Sequence, residues 1–447
     1  MSLPVESKQK RISTFERSRE LARRAHRLIP AGCHTYSKGD DQFPLNAPGF
    51  IERGRGCNVW DVDGNEFLDW GMGLRSVILG HGYPRVLEAV AGQLVKGTNF
   101  TRPSPVEVEL AELLTELIPS AEMVKFAKNG SDVTSAAVRM ARAYTGRDYI
   151  AFCKDHPFFS FDDWFIGTTP PNAGVPEAAS SQSLAFRYND IASLEKLFAE
   201  YPNQIAGVIM EPVTIEPPEN GFLAEVRDLA HKHGAVLILD EMISGFRWHA
   251  RGAQSYFDIV PDMSTFGKAI GNGFSVAVLV GRREIMELGG LKHDQPRVFL
   301  LSSTNGAETH SLAASVATIS EIIEKDVVAH VWKIGKALQD GLNNLAGEMG
   351  LADYVNCIGY PCSPLIVTKD RDGQASMPLR TVFLQEMIAQ GVLIPYIATS
   401  FSHTQKEVDR TLEAATQALD VYARALDEGA DKYLVGPAVK PVFRKYN

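Results

Sequence analysis

Short apolar runs alternate with amphipathic stretches between Glu107 and Gly273. The runs "MVKFAK", "YIAFC", "IAGVIMEP" and "GAVLILDE" are continuous, rich in Val and Ile, and predict strands. The segments "SDVTSAAVRMARAYTG" and "FLAEVRDLAHKHG" repeat apolar residues at helical spacing, and each closes on a glycine suited to a helix C-terminus. In the first, Val133, Ala137, Met140 and Tyr144 form the expected inner face. Strands that are apolar throughout, alternating with helices, predict a mostly parallel sheet covered on both faces.

The pattern differs at the two ends. "NVWDVDGNEFLDW" predicts a β-hairpin turning at Asp63-Gly64-Asn65. Beyond Thr309 a long helical pattern, broken once, precedes a smaller α/β region. A last helix runs from Thr404 to Leu426, with Thr404 and Glu407 at capping-box spacing. The architecture expected is α/β, a large sheet domain with a smaller α/β domain built from both chain ends. The boundaries expected are 1–80 for the N-terminal segment joining the small domain, 81–325 for the large domain and 326–447 for the C-terminal small domain.

Composition narrows the function classes. The 447 residues are 45% hydrophobic and 22% charged, an ordinary globular balance. The net charge of −9 gives no general basic bias toward nucleic acid. The locally basic "KQKRISTFERSRELARRAHRL" reads as a solvated amphipathic helix with Leu21, Ala25 and Leu28 inside; Glu16 and Glu20 argue against a targeting peptide. No apolar run reaches the roughly 18 residues that a membrane-crossing helix needs, so no membrane partner is expected. Cys33, Cys57, Cys153, Cys357 and Cys362 are scattered and odd in number, which points away from disulfides and zinc and toward a reducing cytoplasm.

Three strand ends carry groups fit for chemistry. "GAVLILDE" ends on Asp240 and Glu241, and "IAGVIMEP" ends near Glu211, about one strand–helix–strand unit earlier. Lys268, in "STFGKAIGNGF", follows Asp240 by another such unit. Ligands of open α/β sheets bind at the carboxyl ends of the strands, so all three groups are expected at one edge. Asn129, Gly130, Ser131 and Asp132 stand where a helix begins. Unpaired N–H groups and a partial positive charge there suit a phosphate, although the same four residues also make an ordinary N-cap. A phosphate cradle, a strand-end carboxylate and one lysine together match the needs of pyridoxal 5′-phosphate, PLP.

The run "LDEMISGFR … PDMSTFGKAIGNG" resembles the signature of class III PLP-dependent aminotransferases. "IERGRGCNVWDVDGNEFLDW", "ILGHGYP", "EVELAELLTELIPSAEMVKF" and "VRMARAYTGRDYI" extend the resemblance over nearly the whole chain, to the branch containing glutamate-1-semialdehyde aminomutase. The resemblance implies a fold-type I enzyme, a homodimer with shared active sites, and PLP carried covalently by Lys268. It further implies that Asp240 pairs with the pyridine nitrogen and that Gly130 and Ser131 hold the phosphate. Phe158 and Ile243 would lie against the ring faces, Glu211 near the cofactor, and Thr304 on the neighbouring subunit's phosphate. Glu216 matches an acidic switch residue of some members, and Arg75 and Arg102 are candidate anion contacts.

The chain departs from the aminomutase pattern at several places. Phe159 and Ser160 take the positions of a family His and Gly, "GNGFSVAVLVG" replaces a Gly-rich run, and Arg75-Ser76 enters a substrate-side stretch. "PYIATSFSH" lacks the arginine that ω-amino-acid transaminases often place there. The function expected is transfer of an amino group from an amino-acid donor to a carbonyl acceptor, with a sugar-derived intermediate as the expected acceptor. The alternative is an intramolecular aminomutase of the glutamate-1-semialdehyde type. A non-catalytic relative is a third reading, opposed by the presence of both Lys268 and Asp240.

Overall fold

The computed structural model describes Ile12 and residues 14–446. They divide into two compact units. One comprises the described residues up to Met72, with 80–82 and 330–442; the other comprises 73–79, 83–329 and the described residues from Phe443 onward.

The larger unit is built on seven strands: β1 (Met123–Ala127), β2 (Tyr149–Cys153), β3 (Ser183–Phe186), β4 (Ile205–Met210), β5 (Val236–Asp240), β6 (Met263–Phe266) and β7 (Ala277–Gly281). Their order across the sheet is β1-β7-β6-β5-β4-β2-β3. From β3 to β6 all neighbours are parallel, whereas β7 runs antiparallel to both β6 and β1. Every residue of β4, β5, β6 and β7 is buried. Burial on both faces explains why these strands read as unbroken apolar runs instead of alternating ones.

The helix Gly130–Thr145 begins at a capping box formed by Asn129 and Asp132 and ends at Gly146 in the left-handed region. Val133, Ala137 and Met140 are fully buried, as expected, but Tyr144 is 43% exposed. Tyr144 lies in the last turn, where its hydroxyl donates to the Glu284 carboxylate at 2.9 Å instead of entering the core. The helical pattern after Thr309 is indeed broken once. Helices Thr309–Glu324 and Val327–Glu348 are separated at Asp326, whose φ is +47°.

In the smaller unit, strands Asn58–Asp61 and Glu66–Asp69 pair as the expected hairpin. The buried Asp61 carboxylate organises its turn by accepting from the Asp63 and Asn65 N–H groups at 3.0 and 2.8 Å. Trp70 is fully buried, donates from its indole to Thr411 at 2.8 Å and stacks on His403. The capping box at Thr404 and Glu407 opens the helix Gln405–Glu428. The N-terminal helix spans Glu16–Leu28 and buries Ala25, yet Leu28 is 79% exposed, so the inner face ends before the last residue. The part of the basic segment before Ile12, and Ser13, lie outside the described residues. None of the five cysteines is in a disulfide; four are buried and Cys33 is partly exposed. Among the described residues no helix is long and apolar enough to cross a membrane, and no group of three or more His, Cys, Asp or Glu could hold a metal.

Helix Val327–Glu348 contains two glycines in opposite surroundings. A Cβ on Gly335 would run into the Pro361 carbonyl, while one on Gly347 would meet nothing within 4 Å. Alanine normally favours a helix over glycine by about 1 kcal/mol. Gly347→Ala should therefore raise the urea midpoint, whereas Gly335→Ala should lower it, with overpacking costing about 1–3 kcal/mol. Equal shifts in the two variants would contradict the close approach.

Candidate active site

The parallel register sets three strand ends side by side. Met210 of β4 faces Leu239 of β5, and Asp240 of β5 faces Thr265 of β6. Glu211 follows β4 directly, Asp240 ends β5, and Lys268 stands two residues beyond β6.

Asp240 is 2% exposed, and its Oδ1 accepts from the Met242 N–H and the Thr265 hydroxyl, each at 3.0 Å. Burial pushes this carboxyl up to about 6, with Lys268 pulling the other way. Glu211 is also buried, and burial, reinforced by Asp240, pushes it up to about 8. Its Oε2 finds no hydrogen-bond partner among the described residues. The Glu211 N–H donates to His156 Nδ1 at 3.0 Å, so the neutral His156 ring carries its proton on Nε2. Burial lowers the Lys268 amine, against the opposing pull of Asp240 and Glu211. The Lys268 backbone is left-handed, with φ +45°.

Met242 joins this edge to the helix that starts at Gly130. A Cβ on Gly130 would meet the Met242 sulfur at 3.0 Å, and one on Gly267, the residue before Lys268, would meet the same sulfur at 2.7 Å. The helix N-terminus and the base of the lysine therefore share one side chain as neighbour. Ser131 is buried, and its hydroxyl accepts from the Phe161 N–H at 3.1 Å, leaving the hydroxyl proton for an anion.

Glu241 takes the other face. Its carboxylate accepts from the Ala253 N–H, from the Gln254 N–H at 3.2 Å and from the Gln254 side chain at 3.0 Å. Gln254 also donates to Ser264 at 3.1 Å and accepts from the Ser120 N–H at 3.0 Å. Successive strand residues point to opposite faces, so one of the paired acids opens to a ligand and the other clamps a turn. Burial pushes Glu241 up to about 7.

The remaining expected residues are placed unevenly. Arg75 is partly buried, and its charge lowers both Lys268 and Glu211. Ile243 is partly buried on the turn after β5. Phe158 is 43% exposed, edge-on to Phe165 and stacked on Phe443. Phe159, at the position of the family His, is core: it is 2% exposed and packs edge-on against Phe165. Thr304 is exposed, with its carbonyl accepting from Asn99 at 3.0 Å. Arg102 and Glu216 are exposed, and among the described residues no hydrogen bond or ion pair joins either to the Lys268 cluster. Sequence reasoning missed His156 and Arg247. Arg247 is fully buried, and the only signal for it was its place in "SGFR".

A desolvated lysine amine, a buried carboxylate for a ring nitrogen, an unpartnered Glu211 oxygen and a helix N-terminus where Met242 crowds any Cβ at Gly130 fit one kind of ligand. That ligand is an aldehyde cofactor with a basic ring and a phosphate arm, which makes the chain a PLP enzyme of α/β architecture. More narrowly, the chain belongs to the class-III aminotransferase family, whose model matches residues 36–404. It is 34% identical over 433 residues to the glutamate-1-semialdehyde 2,1-aminomutase of Desulforamulus reducens, covering 92% of this chain and 99% of that one. Among solved structures, the PLP form of the Sphingopyxis sp. MTA144 FumI protein matches with a TM-score of 0.85 at 27% identity, over 92% of this chain and 98% of that one. An omega-transaminase from Sphaerobacter thermophilus matches with a TM-score of 0.83 at 27% identity, over 91% and 98%. The fold is fold-type I, and the cofactor is pyridoxal 5′-phosphate.

Glu211 gives this edge a pH signature. Its folded value, about 8, lies above the ordinary 4.5. The stability it contributes is thus complete below about 4.5 and is lost as pH rises through 8. Between pH 5 and 8 the cofactor-free protein should lose more stability than its Glu211→Gln variant. Thermal midpoints of both across that range would show it, and parallel curves would remove Glu211 as the cause.

Proposed function

We propose that the chain moves an amino group between neighbouring carbons of one substrate, as an aminomutase of the glutamate-1-semialdehyde type. The observation that carries amino-group chemistry is the desolvated Lys268 amine beside Asp240 at one sheet edge. The intramolecular form is supported by the name of the 34%-identical relative, matched over almost its whole length. Phe159 no longer speaks against it: this side chain fills the core, so the loss of a histidine there says little about the substrate.

When bound, PLP supplies an electron sink for the carbanion left as a proton leaves the substrate carbon. Lys268 would hold the cofactor covalently. When not bonded to the cofactor, its Nζ, lowered by burial, would take up the substrate proton and return it. Asp240, fixed by Thr265 and the Met242 N–H, would keep the ring nitrogen protonated. Gly130 and Ser131 would seat the phosphate at the helix N-terminus, with Phe158 and Ile243 against the ring. In a homodimer, Thr304 would serve the neighbouring subunit's phosphate.

A second reading has its own support. The 27%-identical omega-transaminase favours transfer between two molecules, from an amino-acid donor to a carbonyl acceptor such as a sugar-derived intermediate. The same residues would serve it, and cysteines left unbridged suit a reducing cytoplasm in either case.

Borohydride reduction of the PLP-loaded protein, followed by peptide mapping, should place the label on Lys268. Lys268→Ala should lose the label and on the order of 10²–10⁴-fold in turnover. Glutamate-1-semialdehyde alone should be isomerised without a second substrate. Turnover that requires both an amino donor and a 2-oxo acid would replace this reading with the second one.

A further inference from the structure

Strand register puts Glu211 beside Asp240. Ile209 of β4 pairs with Ile238 of β5, and both pack in the core beneath the helix Gly130–Thr145, with Val133 and Ala137. Met210 and Leu239, one step on, pack in the core of the opposite face. Pro212 restricts the residue before it to extended backbone, so the alternation carries on through Glu211. Glu211 and Asp240 therefore share the face toward that helix, and both are buried. Each of two neighbouring buried carboxyls opposes the other's charge, so one proton stays with the pair.

Two other strands supply what holds Glu211 there. β2 stops at Cys153, where the His156 N–H closes a turn on the Cys153 carbonyl at 3.3 Å. β4 runs further, and the Glu211 N–H donates to His156 Nδ1 at 3.0 Å in place of a strand carbonyl. Tyr188, two residues beyond β3, donates from its hydroxyl to the Pro212 carbonyl at 2.8 Å. The Tyr188 N–H donates to the carboxylate of Asp155, the residue before His156, at 2.9 Å. The His156 and Tyr188 rings lie 5.2 Å apart between centroids, and Phe159 and Phe222 contact one ring each. Two packed rings thus grip the Glu211 N–H and the Pro212 carbonyl.

The imidazole serves as an acceptor. Its Nε2 has no hydrogen-bond partner among the described residues, so the bond at Nδ1 is what separates it from a phenylalanine in the same packing. Burial lowers the ring to about 3 against the pull of Asp155, so Nδ1 remains an acceptor through the neutral range. The charges acting on Glu211 itself are those of Asp240, Lys268 and Arg75.

We propose that His156, together with Tyr188, is a positioning residue that holds the Glu211 carboxyl beside Asp240 as the neutral acid, leaving Asp240 the charged member of the pair. This deepens the amino-group reading above and rests on it only for the ligand that Asp240 serves. Without the Nδ1 acceptor, the buried Glu211 N–H is left unmet. The Glu211–Pro212 peptide then turns toward another acceptor and carries the carboxyl toward water, where it ionises.

Infrared difference spectra of the PLP-loaded protein against pH read this proton through the carbonyl stretch of a protonated carboxylic acid. The wild type should show such a band with a midpoint well above the ordinary 4.5, and Glu211→Gln should lack it. His156→Phe should lower the midpoint by at least about one unit. His156→Asn, whose side-chain oxygen takes the place of Nδ1, should restore it. Tyr188→Phe keeps the ring and loses only the hydroxyl, and it should lower the midpoint by less. Circular dichroism checks folding, and if His156→Phe does not fold, Tyr188→Phe and His156→Asn decide. No Glu211-dependent band in the wild type overturns the proposal. So do midpoints unchanged in His156→Phe and Tyr188→Phe, or equal shifts in His156→Phe and His156→Asn. The measurement needs no turnover, so a wild type that shows the band but moves no amino group overturns the proposed function instead.

Discussion

Lys268 shares a desolvated edge with two carboxylates, and most of the larger unit serves to make that burial tolerable. A buried charge without a partner is costly, and a buried pair is stable only when its geometry is good and its remaining hydrogen bonds are made. Here the geometry comes from the sheet. Parallel pairing of β4, β5 and β6 fixes the heights of their ends, so Glu211, Asp240 and the chain leading to Lys268 emerge at one level. The strands behind them can be apolar throughout because helices and loops cover both faces. The resulting low-polarity surroundings raise the two carboxyls and lower the amine. The same burial that stabilises the sheet thus prepares the proton chemistry of its edge.

Adjacent residues of similar type are put to opposite uses by the strand period. Asp240 and Glu241 are consecutive acids, both buried, yet Asp240 meets the Thr265 hydroxyl while Glu241 caps the turn at Ala253 and Gln254. Because Gln254 also holds Ser264, next to Thr265 on β6, the clamp on one face steadies the group that orients Asp240 on the other. Phe158 and Phe159 repeat the division: the first is exposed against Phe443, the second is core. A change at Glu241 or Phe159 would therefore reach the site through packing, without contact to a ligand.

Features set by local pattern were legible in the sequence. Continuous apolar runs identified β1, β2, β4 and β5, glycine identified the end of the helix at Gly146, and even spacing put Glu211, Asp240 and Lys268 at one edge. Features set by distant partners were not. Tyr144 has the helical phase of an inner residue, but it lies in the last turn beside Glu284. His156 gives no signal until folding brings the Glu211 N–H to its ring, and Arg247 looks like any arginine until it is buried. Least legible of all is the left-handed turn before Ser76, since Met, Leu and Arg carry a conformation normally announced by glycine or asparagine.

That turn bears on which of the two proposed reactions suits the site. Moving an amino group to a neighbouring carbon requires one substrate to present first one carbon and then the next to Lys268, a displacement of about 1.5 Å along the chain. A carboxylate held at a fixed point allows this as a pivot, so the substrate need not leave between the two steps. Two-substrate transfer has the opposite requirement, since a donor must depart and a different acceptor must enter. A rigid anchor favours that exchange only if both molecules carry the same anionic group at the same distance from the reacting carbon. The segment that carries Arg75 is tied at the Arg75 carbonyl to Arg247 and at the Leu79 N–H to Asn272, on the loops that follow Asp240 and Lys268. A segment held at both ends would suit the proposed reaction on one substrate better than the exchange of two.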